Sequence, residues 1–589
     1  MSNEQITSTL LVEVDGADLR PEVAVRMTYA YVDDSRLLPD LFVLRFRDPD
    51  RTVLAAGRFR VGAAVRLRVR TSDAAAPQLL LSGEVTALGA EIDDGGSVTE
   101  VRGYDHAHRL YRGRRVEAYA NMSVSDVVRT VAQRAGLRVG QVDGLTSPPP
   151  DTQITQDNVS DGEFLRRLAD TAGTEVSVVD RTLSFCRPTA ATAAAGAGTR
   201  ALRDPQVLEA GRNLTVLHAS VSSAEQVDEV EVRGWDPLAK RAVTATAPAR
   251  ATTAATGADP QELAREFGHG TVVATDVPYR TQDGVRTAAR ALAEQIAGAA
   301  TELDGVARGN PALRAGSAVS LAGVGAPFEG TYTLTTTRHL FSDDVGYSTA
   351  FTASGGQERS LYGLTTGGRE RAAPGLVPGV VTDVRDPRRI GRVKLAFPWL
   401  GEHYSSGWAR TVQLGAGKER GAMILPEVGD EVLVGFEQGD LDSPYVLGGL
   451  YNGQDAPASC GYEPVDRSTG RVGGRRLVSR TGHRLDLVET ADRSAVELAT
   501  DDDHQVLTLD RTGDEITLSS SGTVRIAARR GITVDAGTGT LALKGAQVTV
   551  NGTTSVEVEG PRVKVGGTAS AELTATGPVS VQGTPVRIN

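Results

Sequence analysis

Tyr462 is the last aromatic residue of this 589-residue chain; the 127 residues after it hold no Phe, Tyr or Trp. Aromatics are scarce throughout, at 5%, against 66 glycines, a balance that implies much turn and strand and, in places, a core too narrow for rings. Only Cys186 and Cys460 occur, in separate regions, which excludes a disulfide framework and a cysteine metal site and reads as two free thiols in a reducing compartment. The start, MSNEQITSTLLVEVDG, lacks a basic stretch followed by an apolar core, and no run of 18 apolar residues occurs anywhere. The expectation is cytosolic synthesis without a Sec signal or an integral membrane segment. Net charge is −11 and the pI is near 5.4. With Lys and Arg scattered rather than gathered on one stripe, nucleic acid is not an expected partner.

What is present changes along the chain. Residues 1 to about 110 alternate as strands, in LLVEVDG, DLFVLRFRD and AAVRLRVR. NMSVSDVVRTVAQRAGL (121–137) switches to a helical period: Ser123 and Asp126 form the cap, Val127, Val131 and Ala135 share a face, and Gly136 is the stop. In NVSDGEFLRRLADTAGTEV, Ser160 and Glu163 make a capping box ahead of Phe164, Leu165 and Leu168. RPTAATAAAGAGTR (187–200) reads as a surface loop. A third helix is expected over 285–303, with Val285, Leu292, Ile296 and Leu303 on one face. Five short strands with Gly-rich corners between Val377 and Gly453 fit a small closed barrel of the OB type.

The tail repeats. Apolar-x-apolar units start at Val524, Ile532, Leu541, Val548, Val556, Val563, Ala571, Val579 and Val586, in steps of 8, 9, 7, 8, 7, 8, 8 and 7. The pattern extends upstream more loosely through Leu485, Val496, Leu507 and Ile516. Residues i and i+2 of a strand point to one face, so each unit offers one narrow apolar strip that it cannot cover itself. A one-chain solenoid needs longer faces and a wider interior. Three copies wound about one axis would bury every strip and pair the strand edges between chains. The expected fold is therefore mainly β with some α: a β-barrel and helix hub over 1–375, an OB-fold barrel over 376–455, a linker over 456–478, and an intertwined trimeric β-helix, or β-prism, over 479–589. Its expected trimer core is Val524, Ile526, Ile532, Val534, Val548, Val550, Val556, Val558, Val563, Val565, Val579 and Val581.

Candidate chemistry is thin. His106 and His108, two apart in a strand pattern, would face one side, but no third ligand has matching spacing, so no metal and no cofactor are expected. GAGKERG (415–421) fails as a phosphate loop because Val412 stands where Gly is needed and Glu419 where Ser or Thr is needed; it reads as a turn. No G-x-S-x-G elbow or H-E-x-x-H helix occurs. Asp501, Asp502 and Asp503 have the right groups for glycoside hydrolysis, yet adjacent acids in a polar insertion read as a solvated turn. Trp399 and Trp408 read as barrel wall or subunit contact rather than a stacking platform. No catalytic residue is expected.

Four segments, in this order, resemble the VgrG family of injection-machine spikes: EVRGYDHAHRLYR (100–112), SDGEFLRRLADTAG (160–173), PEVGDEVLVGFEQGDLDSPYVLGGLYN (426–452) and SRTGHRLDL (479–487). The resemblance implies a trimeric central spike of a phage tail, a type VI secretion system or an extracellular contractile particle. It also implies a hub of two barrel-like halves in a pseudo-sixfold ring that meets the inner tube, or a tube initiator, and the baseplate. A T-even phage spike carries a lysozyme domain between barrel and stalk; only about 25 residues separate Gly453 from Ser479 here. Together with an end at Asn589 while the repeat continues, this points to a bare spike without an effector, and toward the extracellular particle. The last layer, Val586, Arg587, Ile588 and Asn589, would form an exposed apolar platform, and the resemblance implies that a PAAR-type tip protein sits on it. The reading set against this one is a secreted β-helical polysaccharide hydrolase or binding module.

Overall fold

The computed structural model describes residues 8–72, 76–143, 153–196, 198–355 and 375–588. The chain divides into two units, Met1–Ala456 and Pro457–Asn589.

The first unit is organised by an eleven-stranded sheet. It runs from Leu214–Val221 at one edge, through Thr301–Arg308, Gly346–Ala353 and Thr336–Ser342, to Met27–Ser35, Leu41–Arg47, Gly96–Asp105, Gln78–Asp93, Ala64–Thr71, Ser8–Val14 and Ala17–Asp18. Strands from residues 8–105 and strands from residues 214–353 thus share one sheet, joined where Met27–Ser35 pairs antiparallel with Thr336–Ser342. Arg338 clamps Asp33 across that seam with two hydrogen bonds of 2.5 and 2.7 Å. Alternation in the strands puts Phe42, Leu44 and Phe46 on the core side with Leu67 and Val101. Gly103 lies opposite Phe42 because a Cβ there would stand 2.5 Å from the Phe42 ring and 2.1 Å from the Glu84 carbonyl oxygen.

Both capping boxes form. Ser123 and Asp126 open the helix Val124–Arg134, and Ser160 and Glu163 open Asp161–Ala172, which ends on left-handed Gly173 at φ +66°. Phe164, Leu165, Val127, Val128 and Val131 pack with Phe185 in a core of their own. The third helix is Gln282–Gly298, whose alanine stripe packs on Val230, Val232 and Val243. Leu303 is not on it. Thr301–Arg308 alternates strictly between buried and less buried positions and is paired on both sides, by Leu214–Val221 and Gly346–Ala353, so ladder formation overrides the helical period. The alanine-rich loop is also packed: Ala191 is fully buried and donates its N–H to the Thr252 carbonyl.

The barrel follows in the same unit. Its strands are ordered Lys394–Ala396, Val377–Asp383, Glu431–Phe436, Pro444–Gly449 and Arg410–Thr411, around a fully buried Phe397 with Tyr404 and Phe436 beside it. Asp386 ties its first turn together. The carboxylate accepts from the Ile390 and Arg392 amides and from the Arg392 guanidinium, which hold its pKa far below the ordinary value despite burial. Gly429 turns at φ +99°, whereas Gly448 and Gly449 do not have left-handed φ and would have open space around a Cβ. Of these three, only Gly429 needs to be glycine on conformational grounds.

In the second unit, Gly474–Val478, Arg484–Glu489, Ser494–Ala499, Gln505–Asp510 and Glu515–Ser520 form a consecutive antiparallel meander. Leu485, Val496, Leu507 and Ile516 belong to this sheet. Its first strand lies in the stretch read as linker, because RRLV alternates and pairs with the next strand across a turn at Gly482. Beyond Ser521 the chain is extended, and among the described residues the one backbone-to-backbone hydrogen bond there joins the Gly539 amide to the Ala536 carbonyl.

Candidate functional site

The meander has its polarity inverted. On one face Leu485 lies opposite Leu498, which lies opposite Leu507, which lies opposite Leu518; Leu487, Val496, Leu509 and Ile516 form the next row. These side chains are open: Leu498 is 56% and Ile516 74% exposed. On the other face Asp486 is only 3% exposed. There Arg476 and Arg484 both reach Asp486, at 2.7 and 3.2 Å, and Arg484 and Arg493 hold the two oxygens of Glu497 at 2.6 and 3.0 Å. Residues Ala458 to Tyr462 line the small cavity of about 530 Å³ over this network. A sheet that shelters its charges and opens its leucines has its apolar face toward something outside the chain.

The extended tail makes the same demand more strongly. Val548 and Val550 are 56% and 68% exposed, and the other residues of the expected trimer core, from Val524, Ile526, Ile532 and Val534 through Val556, Val558, Val563, Val565, Val579 and Val581, are likewise open. Within each pair the first residue is more sheltered than the second. Backbone N–H and C=O groups left unpaired along more than 60 residues need partners once apolar neighbours remove them from water. At the tip Val586 is half exposed and Ile588 almost wholly so; Arg587 precedes Ile588, and Asn589 lies outside the described residues.

The remaining sequence candidates resolve as structure. His106 and His108 fall in a 3-10 turn, not a strand. His106 is buried, and burial lowers its pKa; His108 Nδ1 lies 2.7 Å from the Asp105 carbonyl oxygen. No group of three His, Cys, Asp or Glu suited to a metal occurs among the described residues. GAGKERG carries a two-stranded hairpin, Ala416–Gly417 with Arg420–Gly421. Asp501 to Asp503 form an exposed turn in which Asp502 pairs with His504 and Asp503 with Arg484. Trp399 donates Nε1–H to the Pro378 carbonyl, and Trp408 lies under Arg392 and Lys394.

One large cleft, about 1180 Å³, opens over the hub sheet. Sequence reasoning missed it because its lining comes from seven separate segments. Its acids are already engaged: Asp33 by Arg338, Asp34 by Arg314, Asp304 by His218, and Glu163 by the Ser160 cap. No free acid and base face each other there among the described residues. In the seam behind it, burial pushes the Asp40 and Asp105 carboxyls well above the ordinary value, and pushes His339 down to about 3, so that its imidazole is neutral.

Residues 377–451, which hold the barrel, match the type VI secretion system/phage-baseplate injector OB domain. Residues 65–343 match the Alg8 N-terminal domain. Among curated proteins the chain is 42% identical over 71 residues to the type VI secretion system spike protein VgrG2a of Pseudomonas aeruginosa, covering 11% of this chain and 8% of that one. It is 32% identical over 114 residues to VgrG1a of the same organism, covering 18% and 17%, and 41% identical over 71 residues to the actin cross-linking toxin VgrG1 of Vibrio cholerae, covering 11% and 6%. These relatives are VgrG proteins, and the matches span less than a fifth of each relative's length. Among solved structures, an E. coli type VI secretion component described as similar to the T4 tail proteins gp27 and gp5 aligns at TM-score 0.46 and 16% identity, over 75% of this chain and all of that one. A chain of a Francisella PdpA-VgrG complex aligns at TM-score 0.48 and 9% identity, over 88% of this chain and 80% of that one. No helix among the described residues is long and apolar enough to cross a membrane.

Proposed function

We propose that the protein is the homotrimeric central spike of a contractile injection system, mounted on the inner tube and baseplate through its hub and driven through a target envelope by sheath contraction. The observation that carries this is the second unit, whose leucine face and valine strips are open while its backbone beyond Ser521 has almost no partner inside the chain. Two further copies supply both the apolar cover and the hydrogen-bond partners. A closed three-chain stalk has every backbone group paired and resists bending, which is what a piercing element requires. The engaged acids of the hub cleft support a role without turnover. Assembly takes place in the cytoplasm of the producing cell, and the stretch between Gly453 and Ser479, too short to hold an enzyme domain between barrel and stalk, favours an extracellular particle.

The C-terminal platform of Val586, Arg587, Ile588 and Asn589 seats a PAAR-type tip protein, with Val586 and Ile588 closing the last layer and Arg587 and the Asn589 backbone bonding the cap. The solution mass tests the trimer: three copies of the 61.9 kDa chain are expected, and a monomer that releases sugar from cell-wall polymer establishes the hydrolase instead. Deleting 586–589 should leave the trimer intact and abolish tip binding. Undiminished binding by the truncated trimer places the tip elsewhere.

A further inference from the structure

The hub and barrel meet within the first unit through a small, mixed contact. Val116 and Ala118 of the hub strand Arg115–Ala120 pack against the barrel core. Next to that strand, Gln153–Val159 presents polar groups to the barrel. The Tyr404 hydroxyl lies 3.1 Å from Gln153 Nε2 and 3.2 Å from Thr155 Oγ1. The Thr155 amide donates to Asp442 Oδ2 at 3.1 Å. Farther out, Arg280 pairs with Glu437 at 3.2 Å, and Gln438 Nε2 donates to the Thr275 carbonyl at 2.7 Å.

Asp442 is the anomaly. As a residue it is only partly buried, yet its Oδ1 is closed off from solvent and has no hydrogen-bond partner among the described residues. A charged carboxylate in that position is poorly compensated. The groups around it are Asp440 from its own loop, Arg167 from the helix Asp161–Ala172, Thr155 from the hub strand and Tyr404 from the barrel, whose own ionisation is further opposed by Asp442 and Asp157. Arg167 is not dedicated to it, since its Nη2 donates to the Thr155 carbonyl at 2.5 Å.

We propose that the contact between hub and barrel is a proton-operated latch, in which Asp442 closes the junction when neutral and loosens it when charged. A proton on Oδ1 removes the repulsion with Asp440 and leaves Oδ2 to accept from Thr155. Burial first, and Asp440 second, push the Asp442 pKa up from 3.8 to about 6. In the opened junction the carboxyl returns to water and its ordinary value. The closed form therefore holds the proton more tightly, so closure is most favoured below about pH 4, weakens as pH rises to about 6, and is level above that.

Hydrogen exchange on the full-length protein tests this, read on peptides covering 153–159 and 440–446 and corrected for intrinsic exchange. Between pH 7.5 and pH 5 the opening of these segments should become roughly tenfold rarer. Asp442→Asn, a permanently neutral mimic, should give the low-opening value at both pH values. Asp440→Asn, which keeps the acceptor for the Asp442 amide, should move the midpoint of the wild-type response below pH 6. A wild-type junction whose opening is the same at pH 5 and 7.5 overturns the latch, even if neither variant folds. So does a pH response that survives in Asp442→Asn.

Discussion

Placing one aspartate per chain at Val548 is the sharpest test of the stalk. Val548 and Val550 stand 56% and 68% exposed in the single chain, and fully burying a valine contributes about 1.5–3 kcal/mol, so covering what remains open contributes about 1–2 kcal/mol each. The six valines of one layer then hold roughly 6–12 kcal/mol together. Val548→Asp removes half of that and sets three carboxylates around the axis, where an unpaired buried ion costs several kcal/mol. Part of that cost is escaped by protonation: the assembled form raises the carboxyl pKa, so the penalty is full at pH 7 and shrinks as pH falls toward the ordinary carboxylate range. Thr549→Asp, on the alternate face, adds the same charge without entering the core. Guanidinium-induced dissociation of the full-length trimer, followed by native mass, should show a lower midpoint for Val548→Asp at pH 7, partial recovery at pH 4.5, and little change for Thr549→Asp. Equal midpoints for the two variants, or a Val548→Asp defect that ignores pH, would refute the register and with it the axial core.

Two predictions concern the barrel. Asp386→Ala strands the buried Arg392 guanidinium and several amides, so barrel stability should fall by about 3–5 kcal/mol; because the Asp386 pKa is depressed, its contribution should be intact above pH 3.8 and disappear only in stronger acid, which thermal melts from pH 7 to 2 will show. Gly429→Ala must hold an alanine at φ +99° and should cost about 1 kcal/mol or more, while Gly448→Ala should be tolerated, so equal melting temperatures would refute the backbone assignment.

How much of this was legible in the residues depended on whether the deciding contacts were local. Ser123 with Asp126 and Ser160 with Glu163 lie within one turn, so both helix starts could be read from spacing. Leu303 could not. Its strand is fixed by partners 50 residues downstream and more than 80 upstream, which no local period reveals. His106 and His108 alternate like strand residues, but the Asp105 carboxylate captures the Ala107 amide and starts a 3-10 turn. The repeat of about eight residues from Val524 onward was plain because each unit repeats one simple strip. The meander before it was blurred, since longer turns such as Ala499–Gln505 break the step while the strands keep their pairing. The engaged cleft and the Asp442 junction were invisible for the same reason as Leu303: residues from far-separated segments build them.

The seam between Met27–Ser35 and Thr336–Ser342 has a consequence for how the chain is made. During synthesis the first half of the hub emerges with one strand edge bare, and its partner arrives some 300 residues later, roughly 15 to 60 s at 5–20 residues per second. Throughout that interval the nascent chain offers an open template for strand addition, and neighbouring ribosomes on one message hold several such edges close together. Asp33 and Asp34 put negative charge on that edge before Arg338 and Arg314 exist to neutralise them. Asp33, which later fastens the seam, and Asp34 beside it are, until then, what discourages the wrong strand from taking it.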